Sequence, residues 1–131
     1  MRRSFALAPF LALFLALSLW ALPAAHAAQP YTGITGGVGA ESRAAMMSRY
    51  EDFNLHLAFA NPGGQFLADV RVIIRDHKGS VVYDGPSTGP YLFIEVPPGT
   101  YRITAQQGDA RAMQTAVASD APRGITYFHL R

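Results

Sequence analysis

Residues 89–106, GPYLFIEVPPGTYRITAQ, constrain the fold more than any other stretch of the chain. Tyr91 to Ile94 are aromatic or branched, which suits a pleated surface. Pro97 and Pro98 have no amide hydrogen to give a ladder, so a strand beginning at Tyr91 must stop before them. Gly99 is free to take the positive φ that a tight turn often needs. Beyond it, Tyr101, Ile103 and Ala105 alternate with Arg102, Thr104 and Gln106, the period of a half-buried strand. The stretch therefore reads as strand, Pro-Pro-Gly corner, strand.

The same period governs most of the chain after residue 52. Phe53, Leu55, Leu57 and Phe59 alternate with Asn54, His56, Ala58 and Ala60. Asn61-Pro62-Gly63-Gly64 is a turn signal. Val70, Val72 and Ile74 alternate with Arg71, Ile73 and Arg75. Asp76-His77-Lys78-Gly79 closes a hairpin into Val81–Tyr83, and residues 84–90 (DGPSTGP) read as a loop. Residues 110–118 form a weaker strand, Asp120–Gly124 a loop, and Ile125–Leu130 the last strand. Seven strands at short spacing, with no strand–helix–strand alternation, predict an antiparallel β-sandwich of Ig-like or transthyretin-like form. Residues 28–40 are a Gly-rich lead-in, with at most an edge strand at Tyr31–Ile34. Glu41–Asp52 is the one helical segment, with Ala44 and Met47 on its narrow apolar stripe.

The first 27 residues have the form of a secretory leader. Arg2 and Arg3 precede an apolar run from Phe5 to Leu22, Pro23 ends it, and Ala25 and Ala27 supply the small residues of a cleavage site after Ala27. The alternative is an uncleaved anchor, the one route by which the chain would meet a membrane. Export without any cysteine points to a bacterial periplasm or exterior, with stability drawn from packing. Removing residues 1–27 leaves 104, enough for one domain with one core. It also removes Arg2 and Arg3, so nine basic residues then balance nine acidic ones. A neutral total gives no support to nucleic-acid binding.

Val70, Val72 and Ile74, the turn Asp76–Gly79, the loop to Gly89, and Pro97-Pro98-Gly99-Thr100-Tyr101 together resemble the carboxypeptidase-regulatory-like, or transthyretin-like, β-sandwich family over residues 53–118. The lead-in and short helix resemble those of small bacterial secreted forms. The resemblance implies a fold, and self-association through sheet edges, but no particular activity. A 5-hydroxyisourate hydrolase shares the fold. Its C-terminal Tyr-Arg-Gly-Ser signature is replaced here by Tyr127-Phe128-His129-Leu130-Arg131, so none of its catalytic residues carries over. Sandwiches of the collagen-adhesin type can form an internal Lys–Asn cross-link. Lys78, the one lysine, is expected at a hairpin tip facing water.

Nothing in the residue spacing announces catalysis or a metal. His56, His77 and His129 do not pair at ligand spacing, and Ser42, Ser48, Ser80, Ser87 and Ser119 lack a nucleophile-elbow motif. Gly33, Gly36, Gly37 and Gly39 do not follow a long strand as a phosphate loop would. Tyr91, Phe93 and Val96 can face one core together only with a bulge near Glu95, which turns Leu92 and Ile94 to the opposite face. Either the helix covers that face or a partner does. The expectation is thus a secreted or periplasmic, non-enzymatic domain without cofactor, binding a protein or glycan, or a second copy of itself. Its surface would include Leu92, Ile94, Tyr83 and Tyr127. A carbohydrate or cell-wall module using exposed tyrosines (Tyr31, Tyr50, Tyr83, Tyr91, Tyr101, Tyr127, beside Phe128) and a small His-centred hydrolase are the alternatives.

Overall fold

The computed structural model describes residues 31–121 and 124–131; the leader, including Ala25 and Ala27, lies outside them. The described elements are β1 (Gly33–Gly36), α1 (Gly39–Ser48), a 3-10 turn (Tyr50–Asp52), β2 (Leu55–Ala60), β3 (Val70–Arg75), β4 (Val81–Ser87), β5 (Tyr91–Ile94), β6 (Gly99–Gln107), β7 (Ala110–Ala118) and β8 (Ile125–His129). They build two stacked four-stranded sheets. The first has the order β1-β5-β2-β8 and the second β4-β3-β6-β7. The sandwich is as expected, with two corrections. It has eight strands among the described residues, because the Gly-rich lead-in contributes β1 along β5. It is also not wholly antiparallel: β8 runs parallel to β2, pairing His56 with Ile125 and Ala60 with His129.

The corner at Pro97-Pro98-Gly99 carries the chain from the first sheet to the second, since β5 and β6 lie in different layers. Gly99 is not among the residues of positive φ. What closes the corner is Tyr101, whose hydroxyl donates to the Pro97 carbonyl. On the other side Asn54 stands in for a missing strand neighbour. Its side-chain amide donates to the Val96 carbonyl at 2.6 Å and accepts from the Val96 amide at 2.9 Å. Both bonds satisfy backbone groups that β5 would otherwise leave unpaired where it ends.

The main core fills the space between the sheets. Leu57, Phe59, Leu92, Ile94, Val72, Ile74, Ile103 and Phe128 are fully buried in it. Val96 belongs to the same core, so β5 keeps strict alternation and needs no bulge near Glu95. The irregularity falls instead in the β3–β4 hairpin, between Ile74 and Arg75, where Val81 pairs with Arg75 and Tyr83 with Ile74. A second, smaller core lies on the outer face of the first sheet, where Met46, Phe53, Ala58, Tyr91 and Phe93 pack together. The helix thus covers Tyr91 and Phe93, not Leu92 and Ile94. It is shorter than its sequence pattern suggested, ending at Ser48, with Met46 buried and Ala44 exposed. Gly37 makes this docking possible: its φ is +98°, and a Cβ there would collide with the Tyr91 ring.

β4 extends through the segment read as a loop, to Ser87. Pro86 is tolerated because β4 is an edge strand. Asp76 organises the hairpin before it, its Oδ1 accepting from the amides of Lys78 and Ser80 at 2.9 Å each. At the far edge the layers join: Arg111 and Arg131 exchange backbone hydrogen bonds of 2.9 and 3.2 Å.

Candidate functional site: the open face of the second sheet

The structure separates the residues that the sequence put forward. Leu92 and Ile94 have no exposed surface; they lie in the main core and present nothing to a partner. Tyr83 is half-buried against that core, and its hydroxyl donates to the Pro86 carbonyl at 3.0 Å. Burial, with the Asp84 carboxylate beside it, pushes its phenol above the ordinary value. Tyr127 is 46% exposed, on the other sheet. These four residues therefore form no single surface.

The histidines do not assemble either. His56 alternates with the apolar positions of its strand and yet is buried. Its ring stacks on Tyr50 with centroids 3.8 Å apart, and its Nε2 lies 2.7 Å from the Tyr50 carbonyl. With that nitrogen donating, Nδ1 is left buried and unpartnered. Burial pushes the imidazole below its ordinary pKa, and the bond to Tyr50 pulls it partly back. His129 lies four residues further along the adjacent strand, ~13 Å away at strand rise. His77 and Lys78 are exposed in the β3–β4 turn. Among the described residues no three His, Asp or Glu side chains stand together as a metal site.

Two further surfaces have aromatic character. Phe66 is 44% exposed and packs on Tyr91 at 5.6 Å, with the Arg43 guanidinium 5.5 Å over its ring; Tyr127 is the other exposed aromatic residue of this sheet. Tyr91 itself is buried, which raises its phenol; nearby Tyr127 adds to that and Arg43 opposes it. An open groove of about 770 Å³ is lined by Tyr31, Phe53, Asp52, Glu95 and Pro97. Its Arg49 is already engaged, bonded to Asp52 at 3.3 Å and lying over the Phe53 ring. Of the remaining aromatic residues, Tyr101 and Phe128 are core residues, and Tyr50 is committed to His56.

Among the described residues the least covered feature is the outer face of the second sheet, assembled by strand register. Across β4, β3, β6 and β7, one row of outward residues reads Pro86, Arg71, Gln106, Arg111. The next reads Asp84, Ile73, Thr104, Met113, and the next Val81, Arg75, Arg102, Thr115. Four guanidinium groups therefore share these three rows with one carboxylate, Asp84. Two ion pairs form among the described residues, Arg49–Asp52 and Arg71–Asp84 at 3.3 Å each, and Arg75, Arg102 and Arg111 belong to neither. Arg75 and Arg102 stand directly opposite each other on neighbouring strands. Like charges in that position repel, a cost of roughly 0.2–1 kcal/mol. The alternation of Arg71 with Arg75 and of Arg102 with Gln106 is visible in the sequence, but pairing is needed to bring them together. No protein-family model matches the chain, and no curated protein matches it.

Proposed function

We propose that this is a secreted or periplasmic binding domain rather than an enzyme, and that the open face of the second sheet holds an acidic cell-envelope glycan. The observation behind this reading is the register that gathers Arg71, Arg75, Arg102 and Arg111 on a face that no described element covers. A face with an excess of one sign attracts a partner of the other, with a strength that falls as salt rises. Gln106, Thr104 and Thr115 between the arginines offer amide and hydroxyl groups to a hydroxyl-rich chain. A nucleic acid fits less well. The rows contain no outward aromatic ring on which a base would stack, and such stacking is how open sheets hold single strands. The leader-like N-terminus supports an extracytoplasmic setting. Two stacked sheets and the Tyr101-closed corner support kinship with carboxypeptidase-regulatory-like domains.

The test is retention of the purified protein on immobilised heparin, on neutral dextran and on single-stranded DNA, across a salt gradient. Retention on heparin alone, lost on Arg71→Glu with Arg111→Glu, is the expected result. Equal retention of that variant, or tighter retention on DNA, overturns the glycan reading. A second reading, a neutral-sugar platform, draws on the half-exposed Phe66 and Tyr127. It requires binding to uncharged glycans that Tyr127→Ala removes and the arginine variant leaves intact.

A further inference from the structure

One end of the arginine face is a concavity rather than a flat surface. A pocket of about 190 Å³ is lined by Arg75, Arg102, His77, Thr100 and Thr115, together with Asp76. Its two guanidinium groups come from the directly paired positions on β3 and β6. Thr115 extends the same row on β7. Thr100 precedes Arg102 by two residues on β6 and so shares its outward face. The hydroxyls of Thr100 and Thr115 can donate or accept, and the guanidiniums only donate. Asp76, the one carboxylate, has its Oδ1 occupied by the amides of Lys78 and Ser80, within the hairpin. Arg75 is steadied by a 3.1 Å bond to the Gly79 carbonyl, which leaves most of its five donors unspent.

We propose that this pocket is a discrete site for one tetrahedral oxyanion, a phosphate or sulfate ester. Two like charges set opposite each other are a standing cost to the sheet, and an anion between them reverses its sign. Arginine suits the task because its planar fork gives parallel hydrogen bonds to such oxygens. The volume accommodates the ester group and part of the unit that bears it. Only the source of the ester rests on the glycan reading; the pocket itself does not. On that reading, the charged ester seats here and the rest of the polymer lies along the row of Arg71, Gln106 and Arg111.

The experiment is an amide-resolved NMR titration of the purified protein with inorganic phosphate, inorganic sulfate, acetate and chloride at matched ionic strength. Saturable shifts are expected with phosphate and sulfate at residues 75–80, 100–102 and 115, and not with chloride. Arg75→Gln and Arg102→Gln should each weaken that binding by about tenfold or more, the worth of a charge-assisted hydrogen bond. Arg111→Gln should leave it unchanged. Asp76→Asn keeps the acceptor that the hairpin amides need, removes the competing charge and should tighten binding. Non-saturating shifts in wild type, the same shifts with chloride, or undiminished phosphate binding in an Arg75→Gln/Arg102→Gln variant that remains folded would each overturn the site. Glucose 6-phosphate, glucose 6-sulfate and glucuronate then separate the sources: a preference for glucuronate overturns the tetrahedral assignment. Saturable phosphate binding without heparin retention sustains the pocket and sinks the glycan. Heparin retention without phosphate binding does the reverse.

Discussion

The two sheets have the same number of strands and opposite fates. In the first, β2 and β5 are buried at every position, because the main core lies on one side and α1 with its 3-10 turn on the other. In the second, β3 alternates buried and outward residues along its length, because no described element covers its outer side. The lesson concerns where a small protein can place chemistry. A doubly covered sheet commits both faces to packing, whereas a singly covered one keeps a rigid outward lattice of positions, about 4.8 Å apart across the strands, that the core does not use.

The largest effect that would break this comparison is a charge placed in the first sheet. Ile94→Lys buries an unpaired ammonium in the main core. It should unfold the domain, since several kcal/mol is comparable with the whole stability of a small domain. Thr104→Lys, outward on the second sheet, should change stability by no more than about 0.5 kcal/mol. Far-ultraviolet circular dichroism and urea titration of the pair decide it, and a folded Ile94→Lys would mean that β5 does not lie between two cores. Next comes Phe93→Ala, expected to cost roughly 3–5 kcal/mol because the helix side of the first sheet is itself a core. Met113→Ala, 64% exposed at a matching outward position, should cost almost nothing. Similar losses for the two would erase the distinction between covered and open faces.

A smaller effect depends on pH and on His56. Burial favours the neutral ring in the fold, so the unfolded chain binds the proton more readily. Stability from this residue is full above its ordinary value of 6.5 and is lost as pH falls below it, down to the lower pKa of the folded state. Thermal unfolding at a series of pH values should show that decline, and His56→Phe should flatten it. A decline of the same size in the variant would assign it to carboxylates instead. The smallest effect separates the open face from the core most sharply. Arg102→Thr removes the like-charge pair with Arg75 and should stabilise the domain by a few tenths of a kcal/mol while weakening phosphate binding. A loss of stability on that substitution would mean that the pair is structural.

Some of this was legible residue by residue. The period-two pattern at Leu55–Phe59, Val70–Ile74 and Tyr101–Ala105 marked true strands, because alternation needs only the local pleat and an oily layer beneath. The Asp76–Gly79 turn was legible for the same reason: its hydrogen bonds stay within five residues. The apolar run Tyr91–Ile94 implied two covered faces, and there are two. Which residue faces which cover was not legible, and Leu92 and Ile94 were assigned to the wrong one. His56 shared the alternation of a polar position yet is buried, because the helix and Tyr50 arrive from outside the strand. Net charge misled most. The sum over residues 28–131 is neutral, whereas register places four arginines on one face.

The amino-acid order therefore determined seven of the strands, the two-layer class and the corner at Pro97–Tyr101, each set by dihedral preference, missing donors or neighbouring side chains. Tertiary structure alone decided the parallel pairing of β8, the side of β5 that α1 protects and the meeting of Arg75 with Arg102. Those depend on contacts between residues far apart in the chain, and no local energy specifies which distant strand becomes a neighbour.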